Sequence, residues 1–188
     1  MGQAKKAATY ADIEALPDGW VGEIIEDELV AHPRPALGHA HTAARLHLAL
    51  GHPFALGKGG PGGWWILIEP EVHLGRDVLV PDLAGWRRER LPRLPSPQEP
   101  FMTLAPDWVC EVLSPSTAFI DRARKLPRYH REGAGHVWLV DPLARTLEVF
   151  RAEPTGLRLL TLHGNSEVVR AEPFHELSLE LGALWLGG

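Results

Sequence analysis

The stretch that decides the fold is DWVCEVLSPST, residues 107–117. Apart from its two acids, the part from residue 107 to 113 is apolar, with a tryptophan and two valines, which predicts a buried strand. The hydroxyl groups and the proline of SPST then favour the start of a helix, which we expect at about residues 118–131, before Gly133. The segment therefore predicts a strand that leads into a long helix, as in layered α/β and α+β folds.

Apolar spacing and turn residues predict the elements on either side of this segment. Upstream they are a short helix (9–16), a hairpin (20–31), a helix (36–50) and two strands (64–68 and 78–80). We expect those two strands to pair, and the second to continue through Pro81 to Ala84. Downstream they are strands at 136–140, 146–150, 157–162 and 167–170. The proline-rich residues 90–106 form a loop, and the order of elements predicts a mixed central β-sheet flanked by helices.

The helix at residues 36–50 has one apolar stripe at helical spacing. Its members are Leu37, Ala40, Ala44 and Leu48. This spacing predicts the first major helix.

Length and composition predict one domain over residues 1–188, with a disordered tail at residues 1–8. Apolar residues make up 45% of the chain and charged residues 23%, which is typical of globular proteins. Cys110 is the only cysteine, so an intrachain disulfide is excluded. Because no apolar segment has the length of a signal peptide or a membrane span, we expect a cytoplasmic protein without a membrane partner.

The charge balance excludes a protein that coats nucleic acid non-specifically. Its net charge is −5, whereas such binding comes mainly from lysines and arginines that neutralise phosphates. Any nucleic-acid contact must be local, and Arg87 and Arg88 are candidates for it, with Trp86 beside them for base stacking. The alternative is that these arginines belong to an ordinary solvated surface.

Asp82 and Glu111 are the candidate ligands of a divalent cation. Each interrupts an apolar strand, where an ionised carboxylate is costly unless it is paired, hydrogen-bonded or bound to metal. Two carboxylates on neighbouring strands supply the hard oxygen ligands that Mg²⁺ or Mn²⁺ prefers. The alternative is that both residues lie at strand ends and face solvent or pair with arginines.

Lys125 follows Asp121 by four residues on the helix after Glu111. The turn between strand and helix allows its long side chain to reach back over the two carboxylates, where an ammonium group could stabilise charge that develops on a phosphate. The alternative is a surface ion pair between Asp121 and Lys125, which would contribute little to stability.

An ordered set of motifs resembles the Uma-two family of restriction-endonuclease-like proteins, within the PD-(D/E)XK nuclease superfamily, over nearly the whole chain. The motifs are Tyr10 with Leu16-Pro17, the segment 23–29, Val80-Pro81-Asp82-Leu83, the segment 111–117, Asp121 with Lys125 and Tyr129, and the segment 138–142. The resemblance implies a restriction-endonuclease-like core in which Asp82 and Glu111 bind the metal and Glu23 supplies a further acidic group. We expect Glu23 to bind a second metal or to orient the attacking water. The resemblance also implies that Lys125 replaces the lysine that normally follows the glutamate by two residues, a position held here by Leu113.

Histidines are frequent at the start of the second predicted helix, but their spacing is poor for zinc. His39 and His41 point to different sides of a helix, whereas a zinc pair needs a separation of three or four residues. The family resemblance favours His41 as a contact to substrate or water beside the site.

Two functions follow from these residues. The first is a Mg²⁺-dependent endonuclease that hydrolyses phosphodiester bonds of DNA, with Glu23, Asp82, Glu111 and Lys125 in the site. The second is a nuclease-like fold that binds nucleic acid or a protein without cutting. In either case we expect a homodimer, which is the commonest assembly of oligomeric proteins.

Overall fold

Strands dominate the structure, a computed structural model that describes residues 6–187. In chain order the strands are β1 Trp20–Ile25, β2 Glu28–Pro33, β3 Trp64–Ile68, β4 Val72–Leu74, β5 Asp77–Leu79, β6 Leu83–Arg87, β7 Trp108–Val112, β8 His136–Asp141, β9 Thr146–Glu153, β10 Gly156–Gly164, β11 Val168–Val169 and β12 Leu179–Glu180. The disordered tail predicted at residues 1–8 lies mainly outside the described residues.

Three α-helical segments accompany the strands in the described residues, and a 3₁₀-helical turn, Leu181–Leu184, lies near the C-terminus. Helix α1 is Tyr10–Glu14, and α2 is Leu37–Leu50, which runs on into a π-helical turn, Gly51–Ala55. Helix α3 begins as Ala118–Ile120, widens into the π-helical turn Asp121–Lys125 and ends as Leu126–Arg131. The helix predicted after SPST is therefore present, with an interruption at Asp121–Lys125. Between residues 6 and 187 no helix is both long and apolar enough to cross a membrane.

The larger sheet has the strand order β10-β9-β8-β7-β6-β3 across the described residues. Its neighbouring strands are antiparallel except for β7 and β8, which are parallel and are connected by α3. A parallel pair needs such a crossover, because its strands run in the same direction. The predicted mixed central sheet flanked by helices is confirmed.

The smaller sheet has the order β2-β1-β5-β4 and shows that one predicted pairing is wrong. Strand β5 pairs with β4 and β1, whereas β3 pairs with β6 in the larger sheet. The chain leaves the smaller sheet after Leu79 and enters the larger one at Leu83. Pro81 lies in this connection and has no N–H to continue a ladder. Asp82 is therefore placed between the two sheets, not inside one continuous strand.

Strand β7 contributes side chains to both faces of the larger sheet. Trp108, Cys110 and Val112 pack in the apolar cluster that includes Leu46 and Leu50 of α2, while Val109 and Leu113 pack in the cluster that includes Leu126 and Tyr129 of α3. Because successive side chains of a strand alternate between faces, Glu111 lies on the α3 side. This alternation brings the glutamate within reach of α3.

The helix predicted at residues 36–50 is present as α2, but the apolar residues that mark it in the sequence are not its buried ones. Leu37 is 74% exposed and Leu48 is 57% exposed, and Ala40 and Ala44 are exposed as well. The buried residues of the helix are His39, Thr42, Ala43, Leu46 and Leu50. Two of these are polar and have partners: the hydroxyl of Thr42 donates to the carbonyl of Leu184, and His39 contacts Asp82. Satisfied polar groups can be buried at low cost, so a stripe that is less apolar in sequence faces inward.

The proline-rich loop, residues 90–106, is held against the sheet by two indole groups. Trp65 donates through Nε1 to the carbonyl of Leu91, and Trp86 donates to that of Leu104, each at 2.9 Å. Trp86 is fully buried, so the suggested role in base stacking is wrong. Its position is that of a core residue that ties the loop to β6.

Candidate active site

A cleft of about 260 Å³ opens where the two sheets and α3 meet. Its walls come from residues 32–36 after β2, from the start of α2 and from the 114–117 turn before α3. Asp82, Glu111 and Lys125 all line it. The structure thus brings together three residues that lie far apart in the sequence.

Asp82 is held by donors from two elements. Its Oδ2 accepts the backbone N–H of Val112 at 2.7 Å and lies 3.1 Å from Nε2 of His39. The backbone N–H of Asp82 in turn donates to Oε2 of Glu111 at 3.4 Å. The β5–β6 connection and β7 thus each donate a backbone N–H to a carboxylate of the other segment. These two contacts fix the carboxylates beside one another.

Glu111 is 2% exposed and lies at the bottom of the cleft. Its Oε1 accepts the hydroxyl of Tyr129 at 2.5 Å and lies 2.8 Å from Nζ of Lys125. Burial raises the pKa of Glu111 well above its usual value, the Lys125 ammonium opposes this rise, and the carboxylates of Asp121, Asp82 and Glu23 add to it. The site therefore contains more carboxylates than its one ammonium group can neutralise.

Lys125 is the ammonium group, and its side chain is only 4% exposed. Its Nζ lies 2.9 Å from Oε1 of Glu23, 2.8 Å from Oε1 of Glu111 and 3.6 Å from Oδ1 of Asp121. Burial alone would lower the pKa of Lys125, but the charges of Glu111 and Glu23 outweigh it, and the pKa is raised well above its usual value. Lys125 therefore stays charged at neutral pH.

Glu23, on β1, contacts the lysine and not the cleft. Its Oε1 accepts the backbone N–H of Val80 at 2.7 Å as well as the Lys125 ammonium. It is 2% exposed and is not among the described residues that line the cleft. These contacts favour a role in holding Lys125 over the role of metal ligand that was expected from the sequence.

A family model matches residues 6–182 of the chain and is described as "Uma2: Putative restriction endonuclease". The chain belongs to the Uma2 family. The resemblance inferred from the motifs is confirmed. Among curated proteins, no match was found.

The Uma2 chain also resembles a solved structure, that of "a putative nuclease belonging to DUF820" from Anabaena variabilis. The two chains are 21% identical, and the match covers 95% of the Uma2 chain and 97% of the other, with a TM-score of 0.77. At this identity the similarity supports the fold alone, and it agrees with the mixed sheet and few helices described above.

The carboxylates of this Uma2 site suit a hard divalent cation. Within residues 6–187, Oδ1 of Asp82 has no hydrogen-bond donor, and Oε2 of Glu111 has only the long contact to the Asp82 N–H. One oxygen of each carboxylate is thus left for a ligand. No group of three His, Cys, Asp or Glu side chains that could hold a metal occurs in this part of the chain. Mg²⁺ commonly uses one or two carboxylates and keeps several waters, so two protein ligands are enough.

Three residues predicted to contact substrate lie outside the cleft. His41 is half-buried on α2, and neither it nor the two arginines is among the described residues of the cleft lining. Arg87 lies over the ring of Trp64 at 4.9 Å and Arg88 over that of Trp65 at 4.0 Å. They occupy the end of β6 opposite to Asp82, because Leu83 and Arg87 are the two ends of that strand.

Sequence reasoning missed two residues that line the cleft, His39 and Arg34. His39 could have been found from the helical spacing of His39, Ala43 and Leu46, which places it on the buried stripe of α2. Arg34 carries no comparable signal, because its position depends on where β2 ends.

Proposed function

We propose that this Uma2 protein is a nuclease in which Asp82 and Glu111 bind a divalent cation, Mg²⁺ or Mn²⁺, and which hydrolyses phosphodiester bonds of DNA. The observation that carries the proposal is the pair of adjacent carboxylates that line the cleft, each with one oxygen that no close protein donor occupies, beside the ammonium of Lys125. The family description supports the reaction class.

Each group of the site has a chemical task in this reaction. A bound divalent cation polarises the phosphate and lowers the pKa of a water molecule. Lys125 lines the same cleft, and its charge stabilises the negative charge that develops on phosphorus. Glu23 holds the ammonium by accepting from it at 2.9 Å. The attacking water gives up a proton to solvent and forms a bond to phosphorus as the bond to the leaving oxygen breaks, and the leaving oxygen takes up a proton from solvent.

The proposal predicts cation-dependent cleavage. Purified protein should cut plasmid or single-stranded DNA with Mg²⁺ or Mn²⁺, and EDTA should stop the reaction. Asp82→Asn keeps the shape of the side chain but removes its charge, so cleavage should fall strongly. Equal cleavage by wild type and Asp82→Asn would refute the assigned site, and tight DNA binding without any cleavage would favour the non-cutting binding protein instead.

Arg34 is the proposed phosphate contact at the mouth of the cleft. It is exposed, and within residues 6–187 its guanidinium group makes no ion pair, whereas its backbone N–H donates to the carbonyl of Gly19. An arginine placed in this way can neutralise a backbone phosphate of the substrate. It takes the role expected of Arg87 and Arg88.

Arg34→Ala should weaken oligonucleotide binding and lower the slope of log K against log salt by about 1, because one phosphate contact is lost. The measurement is fluorescence anisotropy in EDTA at several salt concentrations. Arg93→Ala is the matched control, since Arg93 is also exposed but lies in the proline-rich loop. The same slope in both variants would rule out a phosphate contact by Arg34.

A further inference from the structure

The two carboxylates of the site share a pattern of contacts that the proposed reaction does not use. One oxygen of each accepts from two donors of the protein: Oδ2 of Asp82 from Val112 and His39, and Oε1 of Glu111 from Tyr129 and Lys125. The other oxygen of Asp82 has no donor among the described residues, and that of Glu111 has only the long contact from the Asp82 N–H, at 3.4 Å. His39 and Tyr129 are buried and contribute one donor each, and the second donor to Glu111, Lys125, is buried as well.

We propose that His39 and Tyr129 are positioning residues that leave Oδ1 of Asp82 and Oε2 of Glu111 as the ligands of a single cation, with Glu23 outside its ligand set. This inference rests on the proposed function only for the presence of the cation site. Beyond the proposed function, it states which oxygens bind the cation and how many ions each chain binds. It also states which side chains position the ligands.

Tyr129 is suited to fix Glu111. It follows Lys125 by four residues on α3, so the two side chains lie on the same face of the helix. Its side chain is buried, and its hydroxyl donates to Oε1 of Glu111 at 2.5 Å. The glutamate is thereby held with that oxygen towards α3.

His39 is suited to fix Asp82 from the opposite side of the cleft. Its Nε2 contacts Oδ2 of Asp82, while its Nδ1 is buried and has no hydrogen-bond partner among the described residues. A buried polar nitrogen without a partner is unfavourable, so Asp82 is the polar contact that accounts for a histidine here. Metal-bound carboxylates are commonly oriented by such hydrogen bonds, and loss of an orienting group typically weakens metal binding 10–100-fold.

Glu23 differs from the two proposed ligands in where it lies. Its Oε1 also takes two donors, Val80 and Lys125, but Glu23 does not line the cleft within the part of the chain that the structure describes. An ion that enters the cleft therefore meets Asp82 and Glu111 and not Glu23. The contacts therefore point to one ion for each chain.

The test is a titration of the full chain with Mn²⁺ in the absence of DNA. The electron paramagnetic resonance signal reports the concentration of free ion at each step. Wild type should bind one ion. Tyr129→Phe and His39→Leu should each raise the Kd about 10–100-fold. His39→Gln, whose amide nitrogen can occupy the place of Nε2, should recover most of the affinity. Glu23→Gln should still bind one ion.

Matched controls exist for both substitutions. Tyr10→Phe removes the hydroxyl of the chain's other tyrosine, and His47→Leu changes another histidine of α2 whose Nδ1 is also buried without a partner. Neither residue is among the described residues that line the cleft. Both controls should bind Mn²⁺ as wild type does, and thermal unfolding with circular dichroism should show that each variant is folded.

The outcomes separate this inference from the proposed function. Unchanged Kd values in folded Tyr129→Phe and His39→Leu, or a second ion lost in Glu23→Gln, would overturn the positioning roles or the single-ion site and leave the nuclease proposal intact. No Mn²⁺ binding by wild type would overturn both. If His39→Leu does not fold, the test of His39 rests on His39→Gln, which should bind Mn²⁺ more tightly than Tyr129→Phe. Equal or weaker binding by His39→Gln would count against the positioning role of His39.

Discussion

Lys125→Met is expected to lower cleavage about 10²–10³-fold, the effect typical of removing a group that stabilises transition-state charge. It should also lower the free energy of unfolding by about 3–5 kcal/mol, the usual cost of removing one partner from a buried ion pair. Methionine has a similar length, so packing should change little. What is lost is the ammonium that lies within 2.9 Å of both Glu23 and Glu111.

The destabilisation of Lys125→Met should depend on pH in a definite direction. Burial raises the pKa of Glu111 in the folded protein, and loss of the ammonium removes the main opposing cause. A carboxyl group whose folded pKa is raised favours the native state at low pH and disfavours it as the pH rises through that pKa. The stability difference between variant and wild type should therefore shrink in mildly acidic buffer.

Urea unfolding at several pH values and cleavage of a labelled oligonucleotide measure these effects. Lys58→Met is the control, because Lys58 is exposed, and its stability should stay within about 0.5 kcal/mol of wild type. The double variant Glu23→Gln/Lys125→Met should be less destabilised than the sum of its single changes, because one buried carboxylate is then neutral. Undiminished cleavage by Lys125→Met would exclude the assigned catalytic role.

Phe174→Ala is expected to lower the free energy of unfolding by about 3–5 kcal/mol, as is typical of a phenylalanine removed from a core. Phe174 is buried, and its ring lies 4.6 Å from that of Phe54, 4.9 Å from Trp64, 5.0 Å from Trp108 and 5.7 Å from Trp138. It thus joins the C-terminal segment to three strands of the larger sheet. Alanine would leave a cavity among rings that cannot close around it.

Phe119→Ala is the matched control for this prediction. Phe119 is 76% exposed, and its removal should change stability by no more than about 0.5 kcal/mol. Chemical unfolding of both variants under the same conditions gives the comparison. Equal stabilities of the two variants would mean that the aromatic cluster contributes far less than its packing indicates.

The sequence predicts some elements well because their signals are local. The strand of β7, the SPST cap and the helix after it are adjacent in the chain, and each is marked by its own residue types. The spacing after Glu111 made Lys125 a candidate beside the alternative of a surface ion pair. The family resemblance then favoured the site and added Glu23, which spacing alone would have left as an ordinary charge. The single domain, the cytoplasmic location and the homodimer remain predictions.

Other features could not be predicted because they depend on distant partners. The pairing of β3 with β6, and not with β5, depends on which sheet each strand joins, and nothing local distinguishes the two sheets. The inward face of α2 does not follow its apolar residues, because it includes His39 and Thr42, whose burial is explained only by Asp82 and the carbonyl of Leu184. His39 was therefore not recognised from the sequence as a site residue.

The π-helical turn Asp121–Lys125 determines the rotational setting of the second half of α3. A π turn holds one residue more than an α-helical turn, and each residue advances an α-helix by about 100°. With an ordinary turn in its place, Lys125 and Tyr129 would be rotated about the helix axis, away from Glu111. Single-residue insertions and deletions here should therefore be tolerated much less than at the exposed end of the helix, because they change the phase of the helix as well as its length.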